Sequence, residues 1–166
     1  DAVERAVRGI DDPRVRYHRN TPSLGAMGNW IDLVSRARTP LVASLNDDDR
    51  WEPQFLERTA PVMLADPTIG MAFCDFTYID GAGAPRAAET EHWSTISHRR
   101  EMAPGLVPED PELLLRMIAV WNAPQSAYAA VLRRDAVAAI EFPRETDPCH
   151  DLWCTYRLWT GGHRFH

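Results

Sequence analysis

The apolar run Leu41-Val42-Ala43-Ser44-Leu45 passes through Asn46 into three consecutive carboxylates, Asp47, Asp48 and Asp49. Arg50-Trp51-Glu52-Pro53 follow, and a helical pattern begins directly after them. A short continuous apolar run predicts a strand covered on both faces. Proline favours the first position of a helix, so Pro53 predicts a helix start. The acidic cluster therefore falls where a strand ends and a helix begins. Adjacent like charges repel, so a fold that gathers them needs a counter-charge. Hard cations such as Mg²⁺ or Mn²⁺ take oxygen ligands and often bridge one or two protein carboxylates to substrate phosphates. Two readings follow. One is metal-assisted transfer from a diphosphate-bearing donor. The other is an acidic turn whose side chains cap the next helix.

The rest of the chain narrows the choice. Its 166 residues are enough for one domain with a real core. The net charge of −6 and the absence of a basic stripe argue against nucleic acid as the main partner. All basic residues are arginines. Without lysine there is no P-loop of the usual type, no Schiff-base lysine and no Ser–Lys pair. Phosphate contacts fall to arginine, backbone N–H groups or a metal. There is no G-x-S-x-G, and Ser126 has no identifiable catalytic partner. Cys74, Cys149 and Cys154 form no C-x-x-C pair, and the spacing of Cys149, His150 and Cys154 fits no common zinc motif. An odd cysteine count, with no signal peptide at the start and no apolar run long enough for a bilayer, points to reduced thiols in the cytoplasm.

Helix and strand alternate along the chain. Residues 1–9 read as the tail of a helix and Val15 to His18 as a short strand. Met27, Trp30, Ile31, Val34 and Ala37 fall at helical spacing from Gly25 to Ala37. Phe55, Leu56, Val62, Met63 and Leu64 give the helix after Pro53 its apolar face, and Asp66-Pro67 stops it. Ile69 to Ile79 reads as a longer strand. Residues 84–109 carry Pro, Gly and charge, and predict a long surface loop. Pro111 to Val120 is a helix, Ser126 to Leu132 a strand, Arg133 to Ile140 a short helix and Leu152 to Trp159 a final helix closed by Gly161-Gly162. Such alternation favours an α/β sandwich with a largely parallel sheet. Ligands then sit at the carboxyl ends of the strands, where the acidic triplet lies.

The order Arg14-Val15-Arg16-Tyr17, Gly25, Asn29-Trp30, Leu45-Asn46-Asp47-Asp48-Asp49-Arg50-Trp51-Glu52-Pro53 and Phe55-Leu56-Glu57 resembles the inverting glycosyltransferases of family 2, which have the GT-A fold. His150-Asp151-Leu152-Trp153, followed by Gly161-Gly162-His163-Arg164-Phe165, is similar to the segment carrying that family's catalytic base, especially in rhamnosyltransferase-like members. The resemblance covers nearly the whole chain. It implies a GT-A-like sandwich whose mostly parallel central sheet is flanked by helices. It also implies a nucleotide-diphosphate sugar donor, a saccharide or other hydroxyl acceptor, and Mn²⁺ or Mg²⁺. The family's acidic motif maps onto Asp47, Asp48 and Asp49 as the donor-binding residues. Asp49 is expected as the direct metal ligand, with Asp47 or Asp48 on the ribose or on metal-bound water; Asp47 is the second metal candidate. Many members have Asp where this chain has Asn46, so the pattern is shifted. The base maps onto Asp151. A more usual segment has Glu-Asp at the positions of Pro148 and Cys149, which makes Asp147 the alternative.

The implied reaction is a single inverting displacement. A metal bridging the phosphates offsets charge on the leaving nucleoside diphosphate, and a carboxylate takes the proton of the attacking hydroxyl. Trp93, near His92 and His98, can stack on a sugar face. Asn122, Gln125 and His150 are further acceptor-side candidates, with a turn role the equal alternative for Asn122 and Gln125. Trp30, Trp153 and Trp159 read as core, and Arg99 with Arg100 as a solvated surface pair, with contact to a diphosphate the alternative.

Members of the family normally begin with a strand, a helix and a second strand that build the nucleobase pocket. The resemblance implies that residues 1–166 form one domain, a fragment that starts after those elements and stops soon after the His-Asp helix. The expected consequences are marginal folding, weak donor binding and a homodimer through the exposed sheet edge beside Leu41–Leu45. A cytoplasmic place, peripheral to the membrane, fits such an enzyme. Two other classes stay open. One is a non-catalytic module of this fold binding a saccharide or a protein. The other is a nucleotidyltransferase-like enzyme, which usually carries a Gly- and Lys-containing loop that this chain lacks.

Overall fold

A computed structural model describes residues 2–124 and 129–166. In chain order the elements are α1 (Ala2–Arg8), α2 (Gly25–Arg36), β1 (Leu41–Ala43), α3 (Phe55–Ala65), β2 (Ile69–Phe73), α4 (Ala87–Ile96), α5 (Pro111–Ala119), β3 (Ala130–Arg133), α6 (Arg134–Ala138), α7 (His150–Thr160) and β4 (Arg164–Phe165). Short 3-10 turns occupy Arg99–Glu101 and Arg144–Cys149.

The sheet has four strands in the order β1-β3-β2-β4. β3 runs antiparallel to both neighbours, with Val42 opposite Leu132 and Ala72 opposite Val131. β4 is parallel to β2. Hence β1, β2 and β4 point the same way and β3 is reversed between them, in a mixed α/β sandwich of the GT-A-like kind. Side chains alternate across the sheet as the pleat requires. Met71, Ala130 and Leu132 enter one core with Trp30, Leu114, Met117 and Leu158 from α2, α5 and α7. Ala72 and Val131 enter the other with Phe55 and Met63 from α3. Ile69 joins this second core because the β2–β4 register shifts between Ile69 and Met71. Arg133 ties the layers together: its guanidinium donates to the carbonyls of Ile69, Met63 and Asp66.

Local chemistry explains several boundaries. The Asp110 side chain accepts from Glu112 N–H at 2.9 Å, and Pro111 opens α5 at the position where its missing N–H costs nothing. α7 stops at Thr160, and Gly162 takes φ +84 just beyond it, a region glycine enters freely.

Five local expectations are corrected. Val15 to His18 is irregular, and none of the described strands pairs with it. Residues 84–109 contain α4 and a 3-10 turn instead of a bare loop. Pro53 lies in the turn before α3, and Phe55 N–H closes that turn onto the Glu52 carbonyl at 2.9 Å. The strand from Ile69 ends at Phe73, with an isolated bridge from Ile79 to Pro85 beyond it. β1 is half-buried at an edge of the described sheet, where a strand covered on both faces was expected. The strand expected from Ser126 begins at Ala130 in the described part, and Gln125 and Ser126 lie outside the described residues.

Candidate functional site

The carboxyl end of the sheet gathers the residues of interest. α2 and α7 each lead into the next strand through a short connection, so their first turns return to the end where β1, β2 and β4 finish. The chain leaving β1 turns at Asn46–Asp49, closed by Asp49 N–H on the Asn46 carbonyl at 3.3 Å. Asp47, Asp48 and Asp49 are all exposed in this turn. The triplet does not cap α3, whose N-cap is Gln54 and has no side-chain cap bond.

Burial of its carboxyl, followed by the charge of Asp48, pushes Asp49 above the usual carboxylate value, and a bond from Asn46 opposes this only in part. The nearest arginine in sequence does not relieve it. Arg50 instead lies on the turn at Gly83, where an added Cβ would come within 2.6 Å of its Cζ. A carboxyl shifted upward stabilises the fold below its ordinary pKa and loses that contribution as pH rises through the shifted one. At neutral pH the ionised Asp49 is therefore a small burden on the metal-free chain. Asp49→Asn is expected to raise the melting temperature at pH 7, by less than about 0.5 kcal/mol of stability because water screens an exposed charge. The gain should vanish below pH 3.8, the ordinary value. Melting curves of both proteins at pH 7 and pH 3 check this; an equal gain at both would mean the charge is not the cause.

Those facts bear on a cation. Three hard oxygen donors with an excess of negative charge suit Mn²⁺ or Mg²⁺. Among the described residues no group of three or more His, Cys, Asp or Glu side chains forms a metal-binding set. A cation at Asp49 or Asp47 would need its further oxygen donors from outside this turn.

The start of α2 opens onto a shallow cavity of about 540 Å³, lined by His18, Arg19, Asn20, Ser23, Gly25 and Asn29 among others. The N-cap residue Leu24 makes no side-chain cap bond, Gly25 N–H meets Ser23 Oγ at 3.4 Å, and Gly25 and Ala26, at the positive end of the helix dipole, line the cavity. Asn29 and Asn20 are bonded to each other at 3.1 Å across the rim. One residue further along α2, the Trp30 ring lies 5.9 Å from the His150 ring. The Met27 sulfur accepts from Thr146 Oγ1 at 3.8 Å. α2 thereby joins this cavity to the segment carrying both base candidates.

Asp151 stands half-buried in the first turn of α7, and its carbonyl accepts from Thr155 Oγ1 at 3.0 Å. Asp147 is exposed in the 3-10 turn before it. His150 is half-buried between them, with Nδ1 at 3.2 Å from the Asp147 carbonyl. Cys149 is exposed and Cys154 fully buried, so they face different surroundings.

Of the residues expected to meet an acceptor, Trp93 belongs to α4, is 45% exposed and has its ring 6.3 Å from that of Tyr78. Asn122 is half-buried in the left-handed region at φ 46. The neighbouring Trp121 ring stacks 4.3 Å from His98, itself left-handed at φ 53. Trp30 and Trp159 pack in the core as expected, whereas Trp153 lies near the surface and donates to the Glu141 carbonyl at 2.8 Å.

The surface reading of the arginine pair holds only for Arg100, which is exposed and paired with Glu91. The Arg99 side chain is 3% exposed. It donates to the Cys74 carbonyl at 3.0 Å, to Asp75 Oδ1 at 3.2 Å and to the Ala123 carbonyl, and it stacks 4.1 Å over Phe76. Burial lowers its pKa, and the bond to Asp75 opposes that. No local signal marked it, because its partners lie about 25 residues away on either side.

The family model described as Glycosyl transferase family 2 matches residues 1–138, most of the chain. That span includes the acidic triplet and the α2 cavity and stops before Asp147 and Asp151. No curated protein and no solved structure matches. Among the described residues no helix is long and apolar enough to cross a membrane.

Proposed function

The chain belongs to glycosyl transferase family 2, and we propose that it carries out metal-dependent, inverting transfer of a sugar from a nucleotide-diphosphate sugar to an acceptor hydroxyl, as a rhamnosyltransferase-like member in glycan synthesis. What supports the reading is that three features all belong to connections at the carboxyl end of the sheet, the second and third tied together by the Trp30–His150 and Met27–Thr146 contacts. These are an uncompensated acidic turn after β1, an uncapped helix start opening a polar cavity, and a half-buried carboxylate in the first turn of α7.

Each element has a part. Asp49, with Asp47 beside it, holds the cation, and the cation offsets charge on the departing diphosphate. Asp48 or Asp47 takes the donor's ribose. The N–H groups opening α2 and the polar cavity rim receive phosphate oxygens. Asp151, in the first turn of α7, accepts the proton of the attacking hydroxyl. His150, its ring tilted against Trp30 and its Nδ1 near the Asp147 carbonyl, fixes the entry of α7 and borders the acceptor.

The test is calorimetric titration of Mn²⁺ with and without UDP, GDP and dTDP. Alone, the cation should bind weakly; with the correct nucleotide it should bind at least about tenfold tighter, because the phosphates complete its oxygen shell. Asp49→Ala should weaken the ternary complex more than Asp47→Ala. An absence of metal dependence with every nucleotide would remove this reading.

A further inference from the structure

We propose that a second cavity, at the carboxyl ends of β2 and β4, holds one pyranose ring of the acceptor, with Arg99 and Asp75 as its polar wall. Naming the ring as the acceptor's rests on the transferase reading above; the pocket's chemistry does not.

The cavity measures about 260 Å³ and is lined by Phe73, Asp75, Arg99, Met102, Val107 and His166 among others. Drug-sized ligands fill roughly 300–1,000 Å³, so this space suits a single ring. It shares the acidic triplet's end of the sheet, because β1 and β2 run in the same direction. With β3 between them, the two strands stand roughly 10 Å apart.

The polar wall has one unmet requirement. Arg99 uses both terminal nitrogens on Cys74, Asp75 and Ala123, yet its buried Nε–H has no hydrogen-bond partner. With that Nε–H enclosed, Arg99 is a fixed wall of the cavity, and the groups open to a ligand are those of the rim. Asp75 receives both Arg99 and the Phe76 N–H on the same oxygen, Oδ1, and is 65% exposed at the rim. The His166 imidazole is a second rim group able to donate or accept. Phe73, Met102 and Val107 supply apolar walls for the C–H faces of a sugar. Hydroxyl partners for the Asp75 carboxylate and the His166 imidazole at the rim, with apolar faces between them, describe a pyranose better than a phosphate or a hydrocarbon.

The Arg99 Nε–H gives a direct readout. In ¹⁵N-labelled protein its cross-peak is identified by its absence in Arg99→Lys, or by through-space contacts to the Phe76 ring. Methyl glycosides of glucose, galactose, mannose and rhamnose are then titrated. At least one should shift this peak saturably. Ala103→Trp, from an exposed loop position in the lining, should weaken that binding at least tenfold. No shift with any glycoside overturns the pocket, even where sugar transfer is detected. A shift unchanged by Ala103→Trp puts the ligand elsewhere and also overturns it. A saturable shift abolished by the tryptophan, with no transfer from any donor, supports the pocket while removing the transferase reading.

Discussion

Asp151→Asn is expected to lower turnover by about 100-fold or more while leaving donor binding nearly unchanged, as loss of a general base does. The asparagine keeps shape and hydrogen bonding but cannot take a proton. Its backbone bond from Thr155 is untouched, so α7 should stay in place. Asp147→Asn is the paired measurement. Asp147 lies exposed one turn earlier, in a 3-10 segment, and its carbonyl serves His150. If the Asp147 variant loses turnover and the Asp151 variant does not, the base is the upstream carboxylate. Donor affinity measured by calorimetry on both variants separates a lost base from a lost fold.

Arg99→Met is expected to cost about 2–4 kcal/mol of stability. The methionine fills part of the space but leaves the Cys74 and Ala123 carbonyls without their donor, at about 1–3 kcal/mol for each unsatisfied group. Some of that is offset because a buried guanidinium is itself costly to desolvate. For a domain of this size the melting temperature should fall by roughly 5–15 °C. Arg99→Lys should recover part of the loss, since an ammonium reaches one carbonyl but cannot fork to three partners. Arg100→Met removes only an exposed ion pair with Glu91 and should cost less than about 1 kcal/mol. Equal small effects at both positions in thermal melts would mean that Arg99 does not clamp these segments.

The contrast between these neighbours shows what could be read from the chain alone. Elements with an apolar stripe or an apolar run were legible: α2, α5 and α7 form close to their expected bounds, and β2 starts where expected at Ile69 but ends six residues early. α4 was not legible, because Ser94 is its buried residue while Trp93 and Ile96 point to solvent. A helix without a stripe leaves propensity as its only trace, and Ala87-Ala88-Glu89 is easily missed among Pro and charge. The acidic turn was legible because charge at a strand end is a local pattern. The burial of Arg99 and the pocket beside it depend on a meeting of residues 73–75, 99 and 123 that no local window contains. The direction of β3 was hidden for the same reason: an apolar strand reads alike in either sense, and pairing alone sets its direction.

That reversed strand has a consequence for how the chain is made. β3 is the shared neighbour of β1 and β2, and β4 comes later still. Neither of the first two strands can pair within this sheet until the chain has been extended to Arg133. From Phe73 that is about 60 residues of further synthesis, or roughly 3–12 s at ribosomal rates. For that interval the edges that β1 and β2 later give to β3 are unmet on a growing chain. Among the described strands, the one at the centre joins after both of its first neighbours have been made.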